Sequence, residues 1–145
     1  MLGIFSAIEI SASGLSAERT RMNTVASNLA NAQTTRTEQG GPYRRVDPVF
    51  EAVALDKINA LTPSEQSVSM VRVAGIVQDQ RPGTQVYSPG HPDADADGYV
   101  MYPNVNMVEE MVNMITASRA YEAGIASVES SQRMADSALE IGRGQ

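Results

Sequence analysis

The chain has 145 residues, room for one ordinary domain, and 42% of them are apolar, yet it contains no Trp and only two Phe. A formal net charge of −6 argues against a general nucleic-acid or acidic-membrane surface. The absence of Cys excludes a disulfide framework, a thiolate zinc site and a thiol nucleophile.

The first predicted element is a helix over residues 4 to 33. No Gly lies between Leu15 and Gly40 and no Pro precedes Pro42. Large apolar residues fall at Ile8, Leu15, Met22 and Leu29, seven apart, with Ala12, Val25, Ala26 and Ala32 filling the intervening turns. That repeat holds one helix face toward a partner. Asn28 and Asn31 sit three apart beside Leu29, on one helical face. Their two readings are a fraying polar end and a hydrogen-bonding pair that sets register. The same segment does not read as a cleaved secretory signal: no Lys or Arg precedes Arg19, and Glu9 interrupts the apolar run. No stretch approaches the ~20 apolar residues of a membrane span.

The middle, residues 34 to 102, holds six of the seven prolines, and the seventh, Pro103, closes it. Tyr43 to Leu55 and Val68 to Gln80 are β-branched runs of strand length. Val86-Tyr87 and Tyr99 to Met101 read as shorter strands, and Thr34 to Gly41 and Leu61 to Gln66 as loops.

A second helix is predicted after Pro103, capped by Asn104 or Asn106 and running to Ile141. Its stripe is Met107, Met111, Met114, Ser118, Tyr121, Ile125, Val128, Gln132, Ala135 and Leu139. Steps of four and three over five heptads are coiled-coil spacing. Glu109 and Glu110 are adjacent in the first turns, where the helix dipole favours acids, and read as solvated face. The fold expected is mainly α with a small β element. Long terminal helices form a coiled-coil-like antiparallel pair, with a short β-rich segment between them. The expected divisions are residues 1–36, 37–102 and 103–145.

The motifs offer little chemistry. Asp93 to Gly98 matches the first half of an EF-hand loop, but its twelfth position is Asn104 instead of a bidentate Glu. Ser88-Pro89-Gly90-His91-Pro92 also bars an incoming helix. His91 is the only histidine, so a two-histidine metal site is excluded. No serine lies in a Gly-x-Ser-x-Gly turn and no glycine run forms a phosphate loop. The expectation is a protein that is not an enzyme, with no cofactor and no metal.

Ser13-Gly14-Leu15-Ser16-Ala17, followed by Asn23 and Ser27-Asn28-Leu29-Ala30-Asn31, resembles the N-terminal signature of bacterial flagellar rod and hook proteins. Ser118-Arg119-Ala120-Tyr121-Glu122-Ala123 is similar to that family's second signature. Tyr87 to Asp95, Gly98-Tyr99-Val100 and Tyr102 to Asn106 resemble its proximal rod proteins of the C type. Gly124 departs from the pattern, where the family usually has Asn.

The resemblance implies a structural subunit of the flagellar basal-body rod in the periplasm, transmitting torque from the membrane ring toward the hook. Implied partners are other proximal rod proteins and copies of this chain, the adaptor joining rod to membrane ring, and the type III export apparatus. Nucleic acid and a direct membrane span are not expected. The expected assembly interface is Ile8, Leu15, Met22, Asn28, Leu29 and Asn31 on the first helix. On the second it is Met111, Met114, Tyr121, Ile125, Val128 and Leu139. The alternatives are a secreted helical binding or effector module exported by a type III system, and an amphipathic membrane-surface protein, which the acidic charge disfavours.

Because the acidic turn lacks its bidentate ligand, calcium at ~1 mM is expected to leave the melting temperature unchanged. A rise of several degrees in a thermal melt would contradict this.

Overall fold

The computed structural model describes residues 2–54 and 69–143, with the side chains of residues 6–54 and 69–142. The element order is α1 (Leu2–Ala30), β1 (Val46–Ala54), β2 (Ser69–Gln78), β3 (Thr84–Tyr87), β4 (Tyr99–Tyr102) and α2 (Met107–Arg143). The mainly helical expectation agrees with this; β1 and β2 fall inside their predicted runs, while β3 and β4 contain and extend the shorter runs expected at Val86-Tyr87 and Tyr99 to Met101. Leu55, Val68 and the loop expected at Leu61 to Gln66 lie outside the described residues.

Of the two candidate caps for α2, Asn106 takes the role. Its Oδ1 accepts the Val108 N–H at 3.0 Å, satisfying one of the orphan donors of the first turn. Asn104 is turned the other way, its Oδ1 accepting the Arg45 N–H at 3.2 Å. It therefore ties the start of α2 to the strand entry.

The strands form two separate antiparallel pairs, β1 with β2 and β3 with β4. β1 and β2 pair Val46 with Gln78 and Ala54 with Ser69, with a register shift between Val49 and Phe50. Pro48, Phe50 and Ala52 are paired with Ile76, Val73 and Val71, and so share one apolar face. The opposite face carries Asp47, Glu51 and Arg72, with an ion pair between Arg72 and Glu51. This hairpin lies on α1, where the Ser13 hydroxyl accepts the Val71 N–H at 3.2 Å. In the smaller sheet Tyr87 and Tyr99 are cross-strand partners, with rings edge to face at 5.3 Å.

α1 and α2 run antiparallel. Asn28 meets Glu110 at one end, Leu15 lies against Gly124 midway, and Ser11 approaches Ser127 at 3.5 Å beyond it. The core is thin and made mostly of small residues: Ala17, Val25, Ala32, Val100 and Ala117 are its buried apolar members. On α2 the covered row is Glu110, Ala117, Gly124 and Ser131, seven apart, beside half-covered Met114, Tyr121 and Val128. The predicted stripe therefore splits. One heptad position faces the chain's own fold, while Met111, Ile125 and Leu139 point outward at 51%, 39% and 57% exposure. The physical reason is size, since small side chains let two helix backbones approach closely, and a stripe chosen by bulk passes over them.

Gly124 lies in tight contact with Leu15. A Cβ there would lie 2.8 Å from Leu15 Cδ2 and 3.2 Å from its Cγ. Gly124→Ala is expected to be nearly neutral in urea unfolding, because about 1 kcal/mol of helix propensity offsets the crowding. Gly124→Val should lose roughly 1–3 kcal/mol by forcing the helices apart.

Candidate assembly interface

One buried polar cluster joins α1, α2 and β1. Asn28 is fully buried and Glu110 is 1% exposed. The Asn28 side chain does the work of a neighbouring strand: its Oδ1 accepts the Val46 N–H at 2.9 Å and its Nδ2 donates to the Val46 carbonyl at 2.8 Å. Nδ2 also donates to Glu110 Oε2 at 3.1 Å, and the Tyr43 hydroxyl donates to Asn28 Oδ1 at 3.0 Å. Glu110 Oε1 accepts from Arg45 Nε at 2.8 Å, and Arg45 also pairs with Asp47.

A buried carboxylate is costly unless paired and hydrogen-bonded, and here both oxygens are engaged. Burial by itself would lower the Arg45 pKa. Hydrogen bonds from Arg45 to Glu110 and Asp47, together with their charges, outweigh burial and hold it above its ordinary value. The expectation of Glu110 as solvated face is therefore corrected: adjacent acids point in different directions, and only Glu109 is exposed. Sequence reasoning also missed Arg45 and Tyr43. A seven-residue row of small residues in phase with Glu110 was the available signal.

The structure brings some predicted interface residues together and separates others. Leu15 packs on Gly124, and Ile8, Met22 and Leu29 are half-buried at seven-residue spacing from it. Asn28 belongs to the polar cluster. Asn31 instead closes the end of α1, its Nδ2 donating to the Ser27 carbonyl at 2.9 Å and its Oδ1 accepting from the Thr34 hydroxyl at 3.2 Å. Met114, Tyr121 and Val128 are half-covered. Met111, Ile125 and Leu139 face outward.

Two further features shape the surface. A groove of about 410 Å³ runs between α1, α2 and the hairpin, lined by Leu15, Phe50, Val71 and Gly124 among others. The first turns of α2 carry Val108, Met111, Val112 and Ile115, all more than half exposed. The acidic turn is engaged within the chain. Asp93 accepts from the Thr35 hydroxyl at 2.8 Å and pairs with Arg36 at 3.6 Å, while Asp95 Oδ1 accepts the N–H groups of Asp97 and Tyr99. Near the start of α2, Arg81 is held by Asp79, whose carboxyl is lowered to about 2 by side-chain and backbone hydrogen bonds from that arginine. Among the described residues no helix is long and apolar enough to cross a membrane.

Comparison with known proteins bears on the two ends first. A family model described as "Flagella basal body rod protein" matches residues 8–36, and one described as "Flagellar basal body rod FlgEFG protein C-terminal" matches residues 96–141. The flagellar basal-body rod protein FlgC of Borreliella burgdorferi is 43% identical over 99% of this chain and 100% of its own length. FlgC of Aquifex aeolicus is 48% identical over 86% of this chain and 87% of its own. FlgC of Bacillus subtilis is 38% identical over 96% and 98%. The chain belongs to the FlgC family of flagellar basal-body rod proteins. Both segments matched by the rod-protein family models contribute to the polar cluster, Asn28 from the first and Glu110 from the second.

Glu110→Ala is expected to lose roughly 3–5 kcal/mol, since it leaves Arg45 only Asp47 for a partner and removes an acceptor of Asn28. Tyr43→Phe, which removes one hydroxyl, should lose about 1 kcal/mol. Urea titration of both variants measures the order.

Proposed function

We propose that the chain is a structural subunit of the bacterial flagellar basal-body rod, acting through packed helices and not through catalysis. The observation that carries this is near full-length identity of 38–48% to FlgC proteins of three distant bacteria. It is reinforced by the antiparallel pairing of the two segments matched by the family models. The relatives give no support to a secreted binding or effector module.

In this proposal the helix pair continues in the assembly as coiled-coil-like packing. The predicted residues divide between holding the subunit together and meeting its neighbours. Leu15, Asn28, Met114, Tyr121 and Val128 hold the fold; Met111, Ile125 and Leu139 contact adjacent rod chains. Neighbours are copies of this chain and other proximal rod proteins, with the rod-to-ring adaptor at the base. Delivery through the flagellar type III apparatus would place the rod in the periplasm, and torque would pass along many such contacts. A subunit with so small a core suits this role, because exposed apolar helix surface is covered only by neighbours.

Recovery of the chain in purified basal bodies, with loss of motility on deletion, is expected; its absence from them would refute the proposal. Leu15→Asp should abolish swimming, because a carboxylate against Gly124 costs several kcal/mol or must protonate. Leu15→Met should be tolerated within about 1.5 kcal/mol. Swarm diameter on soft agar reads both.

A further inference from the structure

The smaller sheet is fastened to the rest of the chain in two different ways. Val100 of β4 is only 1% exposed and belongs to the core. The turn between β3 and β4, residues 88–98, is held instead by one side chain. Asp93 Oδ2 accepts the Thr35 hydroxyl at 2.8 Å, and Oδ1 lies 3.6 Å from the Arg36 guanidinium. Among the described residues, no other side-chain hydrogen bond or ion pair joins this turn to the segment between α1 and β1.

His91 stands beside that carboxylate. Its Nδ1 accepts the Asp93 N–H at 3.1 Å, so the neutral ring carries its proton on Nε2. The same Nδ1 is 4.0 Å from Asp93 Oδ2, just beyond hydrogen-bond reach. The ring meets the Tyr102 ring of β4 edge to face at 6.3 Å, and its side chain is 28% exposed, so water reaches it. The charged and titratable groups around it are therefore few. They are Asp93 in its own turn, Arg36 on the far side of the Asp93 carboxylate, and the Tyr102 phenol. Asp95 is occupied by the N–H groups of Asp97 and Tyr99.

Histidine is the side chain whose charge ordinarily changes between about pH 5 and 8. A proton taken from water onto Nδ1 removes the lone pair that the Asp93 N–H uses, and sets two donors against each other. It also creates a cation one small ring rotation from Oδ2, where a charge-assisted bond forms. Oδ2 is the oxygen that holds Thr35. On the other oxygen the Arg36 side chain is 77% exposed, so its ion pair is screened and weak. A second cation beside the same carboxylate weakens it further.

We propose that His91 is a proton-operated latch on the β3–β4 turn. With the ring neutral, the Asp93 N–H is closed on Nδ1 and the carboxylate is left to grip Thr35 and Arg36. With the ring protonated, the carboxylate is drawn into its own turn and the segment following α1 is released. The release is local, because Val100 stays in the core and keeps β4 in place. Acid therefore loosens the tie between the turn and the segment following α1 while leaving the helix pair untouched.

His91 is the only histidine, so its ring gives a single, unmistakable set of signals in NMR of the full-length chain. Spectra are followed from about pH 8 to pH 5. At the upper end the ring nitrogens are expected to report the Nε2–H tautomer. On acidification the ring, the Asp93 amide and the amides of Thr35 and Arg36 should shift together with one midpoint, while the Ala117 amide stays still. His91→Gln should abolish the shifts at Thr35 and Arg36. Asp93→Asn should abolish them too, although the His91 ring still titrates. Three outcomes overturn the proposal: an Nδ1–H tautomer in the neutral ring, a His91 titration in the unaltered chain that Thr35 and Arg36 do not follow, or a response at Thr35 and Arg36 that survives either substitution. The first two are read on the unaltered chain, so the test stands even if a variant fails to fold.

Discussion

The fold depends on a single buried carboxylate. Glu110 lies where α1, α2 and the entry to β1 converge, and each neighbour supplies it with something: Asn28 a donor from α1, Arg45 a charge from the strand entry. Removing water from an acid makes its partners obligatory. Those partners have fixed geometry, so satisfying Glu110 sets where the helices cross and where the hairpin begins. Asn28 extends the constraint by closing both backbone groups of Val46. Elsewhere the seam of Ala, Gly and Ser offers contact area but little that distinguishes one register from the next. The polar cluster supplies that distinction.

Small residues at the seam have a second effect. They draw α1 and α2 together without consuming the large aliphatic side chains of α2, which are left on the far side. In a self-contained protein that distribution would be inverted, with Met, Ile and Val inside and Ala and Ser outside. Here the interior is modest and the exterior rich. Apolar area that could stabilise the chain is thereby left on its surface.

Much of this was legible in the residues. Both helices, all four strands and the link between the two ends followed from period, propensity and signature motifs, because those features are local. The α1 stripe through Leu15 was found because bulk and spacing coincide there. The covered row of α2 was not, since Ala117, Gly124 and Ser131 carry no hydrophobic signal and Glu110 carries the opposite one. A buried acid is invisible until its partners are placed, and Arg45 stands 65 residues away. Pairing of the strands into two sheets, and the register shift at Val49 and Phe50, likewise depend on contacts distant in the chain.

Asn28 and Glu110 are separated by 82 positions in the chain, and that distance has a kinetic meaning. Contacts between remote segments form late, because the entropy of closing a long loop must be met before any of their energy is gained. An N-terminal fragment ending before Glu110 would possess the sequence of α1 and the hairpin, with Asp47 beside Arg45, but would lack the carboxylate that bridges Arg45 and the Asn28 amide. Closure therefore awaits the last third of the polypeptide. Until then nothing in this cluster joins α1 to α2.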